Sequence, residues 1–199
     1  PGQVDSKIKV EAIIDAVNTL DAYAGSGTGT NPTPPTKEDF DNGGYTGVTD
    51  ENLERIKAAV KAADKPVDIQ TVIDETIAKI AAEVAATNAL DKIKNHAATD
   101  GVKPEDAPVA QDFLDLGIAD AKVTAMNDAK VNAAIAKKSA EQVDSKIKVE
   151  AIIDSVSKLE AFATTAEDKD RPNKNDFENG GYTGVTDGNL DRLIIAITA

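Results

Sequence analysis

Apolar residues near the start of the chain fall at Val4, Ile8, Ile13, Val17, Leu20 and Ala24, mostly three or four apart, with Val10 and Ile14 widening the stripe. That spacing marks one face of an α-helix. Lys7, Lys9, Glu11, Asp15 and Asp21 lie mainly off it. The Gly- and Pro-rich stretch GSGTGTNPTPPT then ends any helix. Thr36 is placed to cap a short helix over Lys37 to Asp41, and Asn42-Gly43-Gly44 reads as its stop. Tyr45 and Val48 look like apolar pegs under a tight connector. Thr49 is expected to cap the next helix, its hydroxyl facing the amides of Asp50 to Asn52, with Leu53, Ile56, Val60 and Ala63 as a buried stripe. Gly47 keeps the connector narrow or lets its backbone pass close to a neighbouring helix.

Two longer helices are predicted further on. Pro66 kinks or restarts the chain, and Val67 to Lys94 reads as one helix carrying Val72, Ile73, Ile77, Ile80, Val84, Leu90 and Ile93. From Thr124 to Ala163 there is no Pro or Gly, and Val131, Ile135, Val143, Ile147, Ile152, Val156, Leu159 and Phe162 supply apolar positions. This predicts an unbroken helix, most clearly around Lys138 to Lys148, which would be roughly 60 Å long at the usual rise.

The pattern repeats. Gln3 to Tyr23 and Gln142 to Phe162 agree at 16 of 21 positions, and NGGYTGVTD occurs unchanged at Asn42–Asp50 and Asn179–Asp187. A worn copy lies between them: EDFDNGG at Glu38 aligns with QDFLDLG at Gln111, TDENLERIKAAV at Thr49 with TAMNDAKVNAAI at Thr124, and TLDAYAG at Thr19 with ALDKIKN at Ala89. The expected architecture is therefore all-α, with tandem three-helix bundle repeats joined by long shared helices into an elongated rod. The repeats are placed at residues 1–65, 66–137 (degenerate) and 138–199.

Composition narrows the function. The net charge is −13. Nucleic acid and anionic membrane surfaces are disfavoured as partners, since both call for clustered Lys and Arg. There is no Cys, hence no thiol or disulfide chemistry, and aromatics are only 4% of residues, so small aliphatic side chains must fill the core. No apolar run approaches the ~20 residues of a membrane span, and Pro1-Gly2 reads as the start of an excised piece with no signal peptide.

The string DF...GGYTGVTDENLERIKAAV resembles the DY...GVTGVT..NL..VN..I segments of tandem helical repeats in very large bacterial surface proteins, the biofilm-associated and RTX-type adhesins. Phe40, Tyr45, Gly47, Val48, Thr49, Asn52, Leu53 and Ile56 carry the likeness, as do Phe177, Tyr182, Gly184, Val185, Thr186, Asn189, Leu190 and Leu193. The middle repeat departs from it, with Ala119-Asp120-Ala121-Lys122-Val123-Thr124 at that place. The resemblance implies a structural stalk or spacer, extracellular or at the cell surface, within a larger secreted protein involved in adhesion. Its partners would be neighbouring repeats of the same chain and a host or matrix ligand of unknown kind. It transfers no catalytic, cofactor or metal residue.

Four candidate chemistries remain. Asp39, Asp41, Gly44 and Asp50 stand at positions one, three, six and twelve of an EF-hand-like calcium loop, as do Asp176, Glu178, Gly181 and Asp187. Position five is Gly in both copies and position twelve lacks the usual Glu, so capping is the preferred reading. His96 is alone and is expected in solvent near a helix end, a poor transition-metal ligand. Asp5-Ser6-Lys7 and Asp144-Ser145-Lys146 are expected on exposed helix, far from a pocket, and the glycine-rich GTGTNPTPP segment lacks the Lys-Ser/Thr ending of a phosphate loop. No enzyme, cofactor or metal is expected. The alternative to a spacer is a ligand- or calcium-binding extracellular module using exposed loops, chiefly Gly25 to Pro35 and Thr164 to Asn175.

Overall fold

The computed structural model describes residues 2–27, 31–65, 68–98, 107–167 and 171–198, with backbone only for 2–6. Among the described residues there are ten α-helices and no strand. They are α1 (Gly2–Tyr23), α2 (Lys37–Asn42), α3 (Leu53–Ala62), α4 (Ile69–Ala98), α5 (Ala110–Asp115), α6 (Asp120–Ala125), α7 (Asp128–Ala136), α8 (Lys146–Thr165), α9 (Lys174–Asn179) and α10 (Leu190–Ile197). The chain divides into two compact units, Pro1–Ala82 and Glu83–Ala199.

One local device recurs in all three sequence repeats, and each part of it follows from residue type. Before each short helix stands a buried proline: Pro35, Pro108 and Pro172. Four helical positions later comes a buried phenylalanine: Phe40, Phe113 and Phe177. These are the two places of a hydrophobic staple. The preceding aspartate reaches back to the start of the helix. Thr36 N–H donates to Asp39 Oδ2 at 2.7 Å, Val109 N–H to Asp112 Oδ2 at 2.7 Å and Asn173 N–H to Asp176 Oδ2 at 2.7 Å. Thr36 and Asn173 complete the box by accepting from the backbone of Asp39 and Asp176. Val109 has no oxygen to offer, so the middle repeat keeps only the aspartate half.

The stop is equally regular. Gly44, Gly117 and Gly181 have φ of 82°, 84° and 83°, a region that costs an L side chain about 1–2 kcal/mol. Their N–H groups donate to Asp41, Leu114 and Glu178 carbonyls, and the next residue's N–H donates to the phenylalanine carbonyl: Tyr45 to Phe40, Ile118 to Phe113, Tyr182 to Phe177. This is a Schellman motif with its apolar clasp. In the outer repeats the clasp is an edge-on ring pair, Phe40–Tyr45 at 6.4 Å and Phe177–Tyr182 at 6.1 Å.

The connector differs from expectation. α3 begins at Leu53, and Thr49 does not cap it through its hydroxyl. Instead Asn52 folds back. Its Oδ1 accepts from Thr49 N–H at 2.8 Å and its Nδ2 donates to the Gly47 carbonyl at 2.9 Å. Asn189 does the same with Thr186 N–H and the Gly184 carbonyl, at 2.7 and 2.9 Å. In the middle repeat, helix α6 replaces this connector, so that repeat contains four helices, α4 to α7, where the first contains three, α1 to α3. Asn127 there caps α7 by accepting from Lys130 N–H.

Three hydrophobic clusters form. The first joins Leu20 and Tyr23 of α1, Phe40, Val48, Ile56 and Val60 to Ile69 and Ile73 of α4. The second joins Ala89, Ile93 and Ala97 of α4 and Phe113 to α6, to Val131 and Ile135 of α7, and to Val149, Ile152, Ile153 and Val156 of α8. The third contains Phe162 of α8, Phe177, Val185 and Ile194. Ile56 and Val131 are both fully buried, as are Val60 and Ile135, so the worn middle copy fills the same core positions as the first.

Two helix expectations fare differently. The helix expected from Val67 to Lys94 is present as α4, running Ile69–Ala98. Asp68 takes the start, accepting from Thr71 N–H through its side chain; Pro66 lies outside the described residues. The unbroken helix from Thr124 to Ala163 is not present. It breaks at Met126 between α6 and α7, where Asn127 caps, and again after Ala136. There Lys137 and Lys138 N–H groups turn to the Ala134 and Ile135 carbonyls, Ser139 goes extended, a 3-10 turn follows at Ala140–Gln142, and Ser145 starts α8. The reason is twofold. Ser139 and Gln142 form the start signal of a new turn, Ser139 N–H donating to Gln142 Oε1 at 2.9 Å, and the break delivers Val143 fully buried into the second cluster. The same heptapeptide QVDSKIK is helical at residues 3–9, so packing decides its conformation rather than propensity.

The apolar stripe of α1 is buried only toward its end. Ile8, Val10, Ile13 and Ile14 are 59%, 54%, 47% and 52% exposed. In α8 the equivalents of the last three, Val149, Ile152 and Ile153, are at most 1% exposed.

Phe113→Ala should cost about 3–5 kcal/mol, as for other buried phenylalanines, and Asn189→Ala about 1–2 kcal/mol for the two lost hydrogen bonds. Both are read as lower urea midpoints. A Phe113→Ala midpoint equal to the parent would show that the worn middle repeat does not depend on its phenylalanine.

Candidate functional site

The acidic loops do not assemble as calcium ligands. Asp39 is committed to the cap of α2, where Thr36 Oγ1 also donates to it at 2.8 Å. Asp41 pairs with Lys37 at 2.6 Å. In the last repeat Asp176 holds the Asn173 N–H and the Lys158 ammonium, both within 2.8 Å, and Glu178 pairs with Lys174 at 3.5 Å. Asp50 and Asp187 lie exposed beyond the glycine stop, in the connector. Among the described residues no group of three or more His, Asp or Glu side chains could hold a metal ion.

His96 does sit near a helix end, but not in solvent: it is only 6% exposed. Its Nε2 lies 3.2 Å from the Asn132 carbonyl. A carbonyl only accepts, so Nε2 carries the proton there. Asn132 in turn donates through Nδ2 to the Pro108 carbonyl at 2.9 Å. This small polar group ties the end of α4 to α7 and to the residue before α5. Burial follows from position: Ile93 and Ala97 on the same face of α4 belong to the core, and His96 lies between them.

Ser145 is the first residue of α8's cap rather than part of an exposed helix, and Asp144 pairs with Lys148 at 2.8 Å. That ion pair, with the Ser145 hydroxyl, holds the Asp144 carboxyl below its usual range, the Lys148 hydrogen bond contributing most. The side chains of Asp5 and Ser6 lie outside the described residues. So do residues 28–30 and 168–170 of the two loops. In the described part of the second loop, Arg171 pairs with Asp191 at 2.8 Å.

Among the described residues, a sizeable recess lies in the last repeat. It encloses about 430 Å³ and is walled by α7, α8, the connector and α10. Leu159, Ala163, Gly184, Val185, Leu193 and Ile197 supply its apolar lining. Lys130 and Glu160, paired with each other, and Lys137 stand among its polar residues. Lys137 Nζ lies 5.5 Å from the centre of the Tyr182 ring. Two of those charges neutralise each other and the walls are aliphatic. Such a lining is suited to apolar surface.

The first repeat shows what the same residues do when covered. Its equivalents are Leu20, Ala24, Gly47, Val48, Ile56 and Val60, and α4 lies over them. A Cβ placed on Gly47 would fall 2.7 Å from Ile77 Cδ1 and 3.8 Å from Ile73 Cγ2; one placed on Gly184 would meet nothing within 4 Å. Gln70 of α4 also clasps the backbone of Thr46, accepting from its N–H at 3.1 Å and donating to its carbonyl at 3.3 Å. Ile56 and Val60 are fully buried, whereas Leu193 and Ile197 are only partly so, and Tyr182 is 56% exposed. Sequence reasoning placed Gly47 where a backbone passes close to a helix, but it did not foresee that the identical Gly184 would face open space.

Gly47→Ala should therefore destabilise more than Gly184→Ala. Both pay for a positive φ, but only Gly47 adds overpacking against α4, about 1–3 kcal/mol. Equal shifts in urea midpoint would refute the close approach of α4 to Gly47.

Comparison with protein-family models, with curated proteins and with solved structures found no match for this chain.

Proposed function

We propose that this chain is a structural spacer: a run of tandem helical bundle repeats from the stalk of a large bacterial surface or secreted adhesin. One observation carries the reading. The joint helices each serve two cores. Helix α8 gives Val149, Ile152, Ile153 and Val156 to the second cluster and Phe162 to the third. Helix α4 gives Ile69 and Ile73 to the first and Ile93 and Ala97 to the second. Within the second unit, α8 is part of both cores, so those two cores cannot turn independently of one another, which is what a spacer requires.

Three further points support this reading. The identical corners are spent on turning the chain and contain no ligand cluster. The acidic surface suits solubility and discourages nucleic acid. The TGVT..NL strings resemble adhesin stalk repeats, and that resemblance supports a location outside the cell for the proposed spacer. Stiffness in this proposal comes from helices shared between cores, not from an unbroken helix across residues 137–145.

Small-angle scattering tests it. A compact sphere of this length would have a radius of gyration of about 16 Å. The spacer reading expects a maximum dimension near 100 Å, roughly two or three bundle lengths end to end, and a correspondingly larger radius of gyration. A value near the spherical one would refute it.

A further inference from the structure

The last repeat holds an open socket whose filled counterpart is present in the same molecule. Six lining residues have equivalents in the first repeat, and there the occupant is known: the first two turns of α4. Those turns present Ile69, Ile73 and Ile77 to the corner and Gln70 to the Thr46 backbone. The corner itself is identical in sequence, Asn42–Asp50 and Asn179–Asp187. Its inner geometry is the same too, with Gly47 and Gly184 at φ 87° and 78° and the Asn52 and Asn189 clasps matching to 0.1 Å. Only the cover differs. α1 shows the same rule from the side of the plug: its stripe is exposed where the identical stripe in α8 lies buried against the middle repeat.

We propose that the socket over Gly184 is a docking site for an amphipathic helix of α4's kind, supplied by a further repeat of the middle type. Such a helix has Gln in its first turn, Ile three and seven residues later, and acidic residues such as Asp74 and Glu75 turned outward. The Gln would clasp the backbone of Thr183 as Gln70 clasps Thr46. The two Ile side chains would enter over Gly184 and cover Val185, Leu193 and Ile197. α1 of a second copy does not fit this description. Its docking stripe, Val10-Ile13-Ile14-Val17, is the one that in α8 seats on the middle repeat. The inference rests on the tandem-repeat reading above, but it makes a claim about one surface rather than about overall dimensions.

The test uses the whole chain, ¹⁵N-labelled, titrated with a capped synthetic peptide of residues 68–82. The chain carries its own control, because Thr46 and Gly47 are already covered. Saturable shifts at Thr183, Gly184, Val185 and Leu193, with Thr46 and Gly47 unmoved, are the expected result. In the peptide, Ile73→Asp should weaken binding about tenfold or more, since it replaces a buried aliphatic group by a charge. Gly184→Val in the chain should block it, and the peptide variant keeps the test valid if that chain variant misfolds. No shift at ~1 mM peptide, a level that marks only the weakest binding, would overturn the proposal. So would an Ile73→Asp peptide that binds as well as the parent. Shifts at Thr183 and Gly184 that appear on concentrating the chain alone would make a second copy the occupant and overturn it likewise. A compact particle by scattering together with specific peptide binding would remove the spacer and leave the docking site; an extended particle that ignores the peptide would do the reverse.

Discussion

The first and second cores in this protein are each closed by a helix that belongs to the next sequence repeat. The constraint comes from composition. With four Phe, three Tyr and no Trp in 199 residues, a repeat of two short helices and half a long one has too little apolar bulk to exclude water alone. The first repeat is completed by α4, whose Ile69 and Ile73 become fully buried or nearly so. The middle repeat is completed by α8 in the same manner. The last repeat has no such cover among the described residues, and its Leu193, Ile197 and Tyr182 are correspondingly more open.

The short corner answers a second constraint. To bring a following helix across the preceding one, the chain must stop a helix, cross over and start again within a few residues, without leaving buried amides unpaired. Staple, aspartate cap and Schellman stop do this in about eleven residues. The middle repeat shows which parts are indispensable. It has lost the cap side chain, the first glycine of the pair (Leu116 stands there) and the ring clasp, yet keeps Pro108, Asp112, Phe113 and Gly117. Asp112 there gains the Lys92 ammonium at 2.7 Å, much as Asp176 gains Lys158 in the last repeat.

Local signals made much of this legible. Thr36, Phe40 and the Asn-Gly-Gly stop could be read directly, and so could the all-helical class and the alignment of the middle copy, because caps and glycine stops act over a few residues. What sequence could not yield was decided by packing. The stretch from Lys137 to Ser145 has no Pro or Gly, and its periodicity suits a helix. It breaks because burying Val143 and starting afresh at Ser139 outweigh helix continuity. The Ser139-x-x-Gln142 pattern was the available sign. His96 was misjudged for a similar reason: its charge type suggested solvent, while its neighbours Ile93 and Ala97 on the same helical face pointed inward. The recess could not be seen at all, since it arises from the absence of a contact rather than from any residue.

The same logic explains why the corner is identical in two places. Gly181 is pressed by α7, with Lys137 Cδ and Ala134 Cα at 3.0 and 3.1 Å from where a Cβ would stand, whereas Gly44 has nothing within 4 Å. Gly47 is pressed by α4, whereas Gly184 is open. The first copy thus meets α1 at Gly43 and α4 at Gly47, and the second meets α8 at Gly180 and α7 at Gly181. Together they define a corner shaped for a helix at each flank. Identity in the corner therefore reflects two packing demands laid on the same nine residues, and it requires no bound ligand to account for it.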